Sequence, residues 1–391
     1  MKTNKKNNPF YDPSLKKRHA SAKRFKYFAL SSIIIAISFL LFFLSDMLIK
    51  GLPALQQTYV QVEVTYNKKS MKSARQSIDR KLRRVVSRAA IREIPRQMQN
   101  DPQLMNTTKF KWILADDQVD QYIKGNYYKL KSKDKNKVDE LKEQNRVELR
   151  FNSIFFTHGD SKIPEFAGIK SALIGSIFTL LVTMAVSFPI GVMTAIYLEE
   201  FAQDNKFTQI IEVNINNLAA IPSILFGLLG LAIFINIFGL PRSSALVGGL
   251  TLALMTLPII IVTARAALRS VPDSIRQAGY GLGLTKIQVV RDHVLPLAFP
   301  GIMTGSIIGL AQAMGETAPL IIVGMIAFIP DSPSTITEAA TVMPAQIFTW
   351  AGMPERAYIE KTAMGILTLL TVLISLNGVA VYLRKRFETK W

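Results

Sequence analysis

Six stretches of this chain carry at most one charged residue each and are long enough to cross a lipid bilayer: about Tyr27–Ile49, Ser171–Leu198, Leu218–Leu240, Ala245–Ala267, Gly301–Ile329 and Thr362–Leu383. A helix advances about 1.5 Å per residue against a hydrocarbon core roughly 30 Å thick. The second and fifth stretches exceed that need, which predicts a tilt or a break in each. None alternates with the period of a barrel strand. The pattern predicts an all-α polytopic membrane protein with six transmembrane helices.

A different pattern fills the gap between the first and second stretches. Residues 50–170 are largely polar and long enough to fold as a domain of their own. Val60, Val62, Val64 and Tyr66 alternate with polar neighbours and read as a strand; Phe110–Leu114 and Val147–Phe156 suit further strands. Ile78, Leu82, Val85, Val86, Ala89 and Ile94 recur near helical spacing among arginines and predict a helix ending before Pro95. Lys129–Asn145 mixes both charges and suits a helix or a solvated stretch. The expectation is a small α+β insertion. Its basic residues Arg80, Lys81, Arg83, Arg84 and Arg88 leave three readings open: a solvated face, contact with anionic lipid or an acidic partner, or capture of an anionic solute.

The net charge of +19 would point to nucleic acid in a soluble protein. Here the distribution follows the apolar stretches instead. Residues 1–26 hold nine Lys or Arg against Asp12 alone, and residues 384–391 hold Arg384, Lys385, Arg386 and Lys390. The loop at 268–299 carries Arg269, Arg276, Lys286 and Arg291. By the positive-inside rule both termini and this loop are cytoplasmic, and the insertion at 50–170, too long to count in that rule, lies outside. The span at 27–49 reads as a retained signal anchor, because its apolar core is long and Lys50-Gly51-Leu52-Pro53 offers no small-x-small cleavage site. The five spans at 171–383 then form the core. No cysteine is present, and His19, His158 and His293 are scattered, so neither a disulfide, a metal, a cofactor nor a catalytic constellation is expected.

The sequence Gly315-Glu316-Thr317-Ala318-Pro319 lies inside the fifth stretch. A carboxylate near mid-bilayer costs at least about 2.5–3.5 kcal/mol, which makes a functional role the first hypothesis. Pro319 cannot donate to the carbonyl of Gly315, so the helix is weakened there. Gln312 and Glu316, four residues apart, are expected one turn above another, beside a small-residue ridge of Gly301, Gly305, Gly309 and Ala313. One reading makes Glu316 a buried packing residue; the other puts Gln312, Glu316 and Thr317 at the solute route, with Glu316 orienting a cationic partner. Pro189, Pro222, Pro258 and Pro319 are candidate breaks in four spans, and Asn214, Asn216 and Asn217 suit an inner mouth or a helix cap. The two halves offer no matching pair of broken helices, which argues against a stand-alone secondary transporter.

Gln277-Ala278-Gly279-Tyr280-Gly281-Leu282-Gly283, followed by Val294-Leu295-Pro296, marks the loop between the fourth and fifth spans. Its glycines do not form a nucleotide fingerprint: Leu284 stands where a third glycine is needed, and Lys286 is followed by Ile287. The plain reading is a Gly-rich connector. The loop also resembles the E-A-A-x-x-x-G…L-P segment by which ABC importer permeases dock on their ATPase. Gln277 stands where Glu is usual and Gly279 where Ala is usual, while Ala278, Gly283, Leu295 and Pro296 match.

Met303-Thr304-Gly305, Gly315-Glu316-Thr317-Ala318-Pro319-Leu320, Ala195-Ile196-Tyr197-Leu198-Glu199-Glu200-Phe201 and Asn214 to Ser223 together resemble the phosphate ABC importer permease family, in particular its second channel subunit. The likeness covers about Asn152 to Leu383; Gln312 departs from it, since many members carry Arg there. The resemblance implies the ABC importer permease fold in a bacterial inner membrane. It also implies a second, different permease subunit, two cytoplasmic ATPase subunits that supply the hydrolysis, an extracytoplasmic phosphate-binding protein, and no nucleic acid. The alternatives are a permease for another oxyanion such as sulfate or molybdate, or a membrane-anchored sensor or scaffold.

Overall fold

The computed structural model describes residues 14–126, 128–326 and 328–387; the basic ends at residues 1–13 and 388–391 lie outside them. The chain begins with α1 (Leu15–Gly51), a 37-residue helix whose apolar flank packs on the last helix of the chain. A short 3-10 turn then leads into the insertion.

Three antiparallel strands in the order β2-β1-β3 form its sheet: β1 (Gln56–Thr65), β2 (Thr108–Leu114) and β3 (Val147–Phe151). The alternation read at Val60, Val62 and Val64 is the buried face of β1. Helices α2 (Lys68–Lys72), α3 (Arg88–Asn100), α4 (Asp117–Ile123) and α5 (Ser132–Glu143) surround it, and α6 (Ser153–Thr157) leads out. The helix expected over Ile78–Ile94 is corrected. Ile78 and Val86 instead bridge to Val64 and Ala115, and helix begins only at Arg88. Buried β-branched side chains suit extended pairing, and that tertiary demand overrides a helical spacing. Nor does Pro95 end the helix. It sits inside α3, where one backbone bond is lost without a break.

The membrane part starts with α7 (Lys170–Ile196), which runs through Pro189 and ends in a wide turn at Tyr197–Phe201. Next come α8 (Lys206–Ala219), capped by the Asn205 side chain, and α9 (Ser223–Gly230), prolonged by a wide turn to Ile237. α10 (Ala245–Arg269) is the central helix, with 67% of its apolar window buried, chiefly against α7 and α13. After α11 (Asp273–Gly281) and α12 (Lys286–Val289), α13 (Leu295–Gly315) continues from a wide turn at Val290–Val294. α14 (Ala318–Ile322), α15 (Met343–Ala351) and α16 (Ala357–Phe387) complete the fold.

Among the described residues five helices are long and apolar enough to cross a membrane, or six if the pair α8 and α9, bent by 103°, counts as one span. Two expected spans are thereby corrected. Leu218–Leu240 is not continuous, because the helix breaks at Ala220–Pro222. The fifth span lies earlier than Gly301–Ile329: its helix runs from Lys286 to Gly315, and Glu316 is already extended, with ψ of 133°. Pro189 and Pro258 sit within unbroken helices, whereas Pro222 and Pro319 stand at breaks.

The small-residue ridge of α13 meets α10. A Cβ on Gly301 would come within 2.6 Å of the Ala267 Cβ, and one on Gly305 would collide with Thr263. Gly309 has ordinary room, 3.7 Å from Ile260. Close approach therefore needs the first two glycines and not the third.

The insertion is fastened to the C-terminal end of α15 and the N-terminal end of α16 by a buried polar network. Lys124 pairs with Asp120 at 2.7 Å and with Glu360 at 2.9 Å, the Lys124 and Glu360 side chains being 4% and 7% exposed. Lys361 donates to the Ala167 carbonyl, Trp350 to Asp160, and Tyr358 to the Ser161 carbonyl. Gln57 of β1 donates to the Glu165 carbonyl at 2.6 Å. Burial raises the carboxyl of Glu165 to about 7 and that of Asp160 to about 6.

Candidate functional site

The loop between α10 and α13 folds as two short helices joined by a tight turn. Gly283 has φ of 80°; its N–H donates to the Tyr280 carbonyl at 2.9 Å, and that of Leu284 to the Gly279 carbonyl at 3.1 Å. This pair of bonds is a Schellman motif, with the left-handed position filled by glycine because a Cβ is disfavoured there. Thr285 and Gln288 then form a capping box that starts α12, with Gln288 Oε1 accepting from the Thr285 N–H at 2.8 Å. Gly279 lets the helices close: a Cβ there would lie 2.8 Å from Val289. Gln277 and Ala278 are exposed on α11, and Leu295 and Pro296 open α13. Tyr280, Leu282 and Ile287 project as an exposed apolar knob, Leu282 being 81% exposed.

Ion pairs tie this loop to the helix ends. Arg276 of α11 donates to Glu200 at 2.7 Å, to the Leu268 carbonyl at 3.0 Å and to the Val271 carbonyl at 2.8 Å. The pair is largely shielded, with side-chain exposures of 15% for Arg276 and 5% for Glu200. Hydrogen bonding to Glu200 raises the Arg276 guanidinium above its ordinary value and keeps it charged. Glu199 takes Arg265 and Arg269, and Arg265 also reaches Glu212 of α8 at 2.6 Å. The turn that ends α7, the end of α10, and α8 and α11 are thus cross-linked by charge.

At the other end of α13 the chain breaks. Gly315 and Gln312 are exposed, while Glu316 and Thr317 are half-buried. Since Glu316 leaves the helix, it does not stack on Gln312 as expected. Among the described residues no side chain bonds or pairs with the Glu316 carboxylate. The segment after this break packs on the segment after the other one: α14 touches α9, where a Cβ on Gly227 would lie 2.7 Å from the Pro319 Cα. The breaks at Pro222 and Pro319, both candidates in the sequence, therefore meet in one place, where no matching pair of broken helices was expected. Beside the bend an apolar cleft of about 450 Å³, lined by Ile190, Leu218, Leu225, Leu257 and Ile261, offers little to a charged solute. Asn214, Asn216 and Asn217 lie exposed within α8 and do not cap it.

The structure keeps the expected residues in two groups. Gln277, Ala278, Gly279 and Gly283 gather in the loop with Leu295 and Pro296 beside it; Gln312, Gly315, Glu316, Thr317 and Pro319 gather at the break. Gly301, Gly305 and Gly309 lie along α13 between them. Sequence reasoning missed the anchor Glu200–Arg276, whose one visible signal was an acidic pair directly after an uncharged span. It also missed Lys124 with Glu360, where the signal was a charged pair at the head of the last span.

The described residues form an apolar helix bundle of membrane-spanning length with an anchored, exposed two-helix loop and a helix break, the build of a polytopic membrane protein. Comparison with known proteins narrows this. The profile of the family described as "Binding-protein-dependent transport system inner membrane component" matches residues 187–389. A "Domain of unknown function (DUF3333)" matches residues 12–79 and 70–132. The "Phosphate transport system permease protein PstA 1" of Mycobacterium tuberculosis (strain CDC 1551 / Oshkosh) is 32% identical over 225 residues, 57% of this chain and 73% of that protein. The "Probable ABC transporter permease protein YqgI" of Bacillus subtilis (strain 168) is 34% identical over 168 residues, 43% of this chain; the match spans 56% of that relative. Among solved structures, the inward-facing MetNI methionine ABC transporter has 19% identity and a TM-score of 0.43, covering 55% of this chain and 95% of its own. The chain belongs to the binding-protein-dependent inner-membrane transport components and, among them, to the phosphate ABC permease family. It is a permease subunit of an ABC importer in the bacterial inner membrane.

Proposed function

We propose that this chain forms half of the channel of an importer of inorganic phosphate, with both termini and the α11–α12 loop in the cytoplasm and the insertion outside. The observation that carries the substrate is the likeness to phosphate permeases, 32% identical over 225 residues and 34% over 215. The loop geometry supports the coupling. A rigid apolar knob of Tyr280, Leu282 and Ile287, held by Arg276 on Glu200, enters a groove on a separate ATPase subunit and transmits its closure to α7 and α10. A second, different permease covers the open side of the break and supplies the cation that Glu316 lacks among the described residues. A binding protein delivers phosphate from the outside.

The test is uptake in cells depleted of this chain and complemented with wild type, Glu316→Gln or Gly283→Trp. Wild type restores phosphate and not sulfate uptake, Gly283→Trp reaches the membrane without restoring it, and Glu316→Gln lowers the rate. Restored sulfate or molybdate uptake in place of phosphate would overturn the substrate. Unchanged phosphate uptake on depletion would overturn the whole reading.

A further inference from the structure

The insertion holds a second feature that transport through the helices does not use. A cleft of about 1070 Å³ opens between the 74–84 segment, the first turns of α3 and the side of α5. Six arginines line it: Arg75, Arg80, Arg83, Arg84, Arg88 and Arg92. Lys81, Lys133 and Lys137 add three more cations, against only Asp79, Asp134 and Glu140. The lining charge is therefore 9 − 3 = +6.

Little of this charge is spent internally. Arg84 approaches Asp134 at 3.8 Å, Arg83 donates to the Ile78 carbonyl and Lys137 to the Lys81 carbonyl. Among the described residues Arg75, Arg80, Arg88 and Arg92 have no bonded partner. Gathering unpaired like charges on one concave wall is unfavourable in the empty domain, and an anion relieves it. The cations also approach from three elements. A planar carboxylate is satisfied by one guanidinium fork, whereas a tetrahedral phosphoryl group presents oxygens to donors on several sides.

We propose that this cleft is a binding site for phosphoryl groups, separate from the translocation path. Two sources offer that chemistry outside the membrane core: free inorganic phosphate and the headgroups of anionic phospholipid. A phosphodiester headgroup carries about one negative charge and free phosphate between about one and two near neutral pH, so either neutralises only part of the cleft and more than one group is accommodated.

The experiment uses the full chain in nanodiscs of neutral lipid at low salt, without an ATPase. One arm measures binding of labelled inorganic phosphate; the other measures capture of vesicles of phosphatidylglycerol against vesicles of phosphatidylcholine. The variant Arg80→Gln/Arg84→Gln/Arg88→Gln tests location, all three side chains being exposed. Loss of even one charge-assisted contact corresponds to about a tenfold weakening. Phosphate binding that falls by this factor in the variant supports a solute site, and vesicle capture that falls likewise supports a lipid site. Absence of both, binding unchanged in the variant, or engagement of the cleft by an acidic protein alone overturns the proposal. Phosphate uptake by the same variants is a separate readout, so this inference and the transport reading fail independently.

Discussion

Replacing Glu200 by Ala removes the carboxylate that holds Arg276 of α11 to the end of α7. Breaking a buried pair by deleting one partner costs about 3–5 kcal/mol. Arg276 keeps the carbonyls of Leu268 and Val271 and has the exposed Asp273 beside it, at 3.2 Å. With partial exposure as well, the expected loss falls to about 2–3 kcal/mol. That loss is local, because the pair fastens the two-helix loop and not the core of the bundle. Amides of α11 then exchange with solvent about 30- to 150-fold faster, at about 1.4 kcal/mol per decade, while those of α10 stay protected. Hydrogen exchange read by mass spectrometry on the purified chain measures this directly. The charge swap Glu200→Arg/Arg276→Glu does not rescue it, since a carboxylate at 276 would face two carbonyl oxygens. Unchanged α11 exchange in Glu200→Ala, or full protection in the swap, would refute the reasoning.

Three further expectations follow from the same structure. Gly305→Ala lowers stability by about 1–3 kcal/mol through collision with Thr263, whereas Gly309→Ala is neutral or stabilises by up to about 1 kcal/mol, as compared by thermal unfolding of the two variants. Gly283→Ala weakens the loop by about 1–2 kcal/mol because its φ is positive, while Gly281→Ala, with no positive φ and open space around it, does not; coupled ATPase activity of the assembled transporter separates them. The carboxyl of Glu165 titrates at about 7 in the fold and near its ordinary 4.5 unfolded, so the folded state holds the extra proton between these values. Stability is therefore lost as pH rises through that window, by up to about 3 kcal/mol, and Glu165→Gln narrows the difference in unfolding temperature between pH 5 and pH 8.

The helical core was legible because lipid demands uncharged runs of a given length, and no other environment yields six of them. What the runs do not encode is where a helix stops. Pro189, Pro222, Pro258 and Pro319 look alike in sequence, yet Pro189 and Pro258 are carried within packed helices and the other two stand at breaks. Placement of Glu316 at mid-span failed for the same reason, since the helix begins before the apolar run does. In the insertion, the alternation of Val60, Val62 and Val64 declared a strand locally. Val86 did not, because its bridge partner Ala115 is distant in the chain. Of the loop, Gly283 was visible, as its role is local. The anchor joining Glu200 to Arg276 spans 76 residues and leaves no local pattern.

The network that joins Lys124 to Glu360 constrains how this protein is assembled and how it can be dissected. The insertion is made early in the chain and α16 last, so the charged head of the final helix finds its partner only after the insertion has folded. Excising the insertion would remove Lys124 together with Asp120 and leave Glu360 at the head of α16 without its paired cation. A shortened permease that failed to accumulate would thus report an orphaned carboxylate and nothing about the purpose of the missing domain. The same excision made together with Glu360→Gln is the fair comparison.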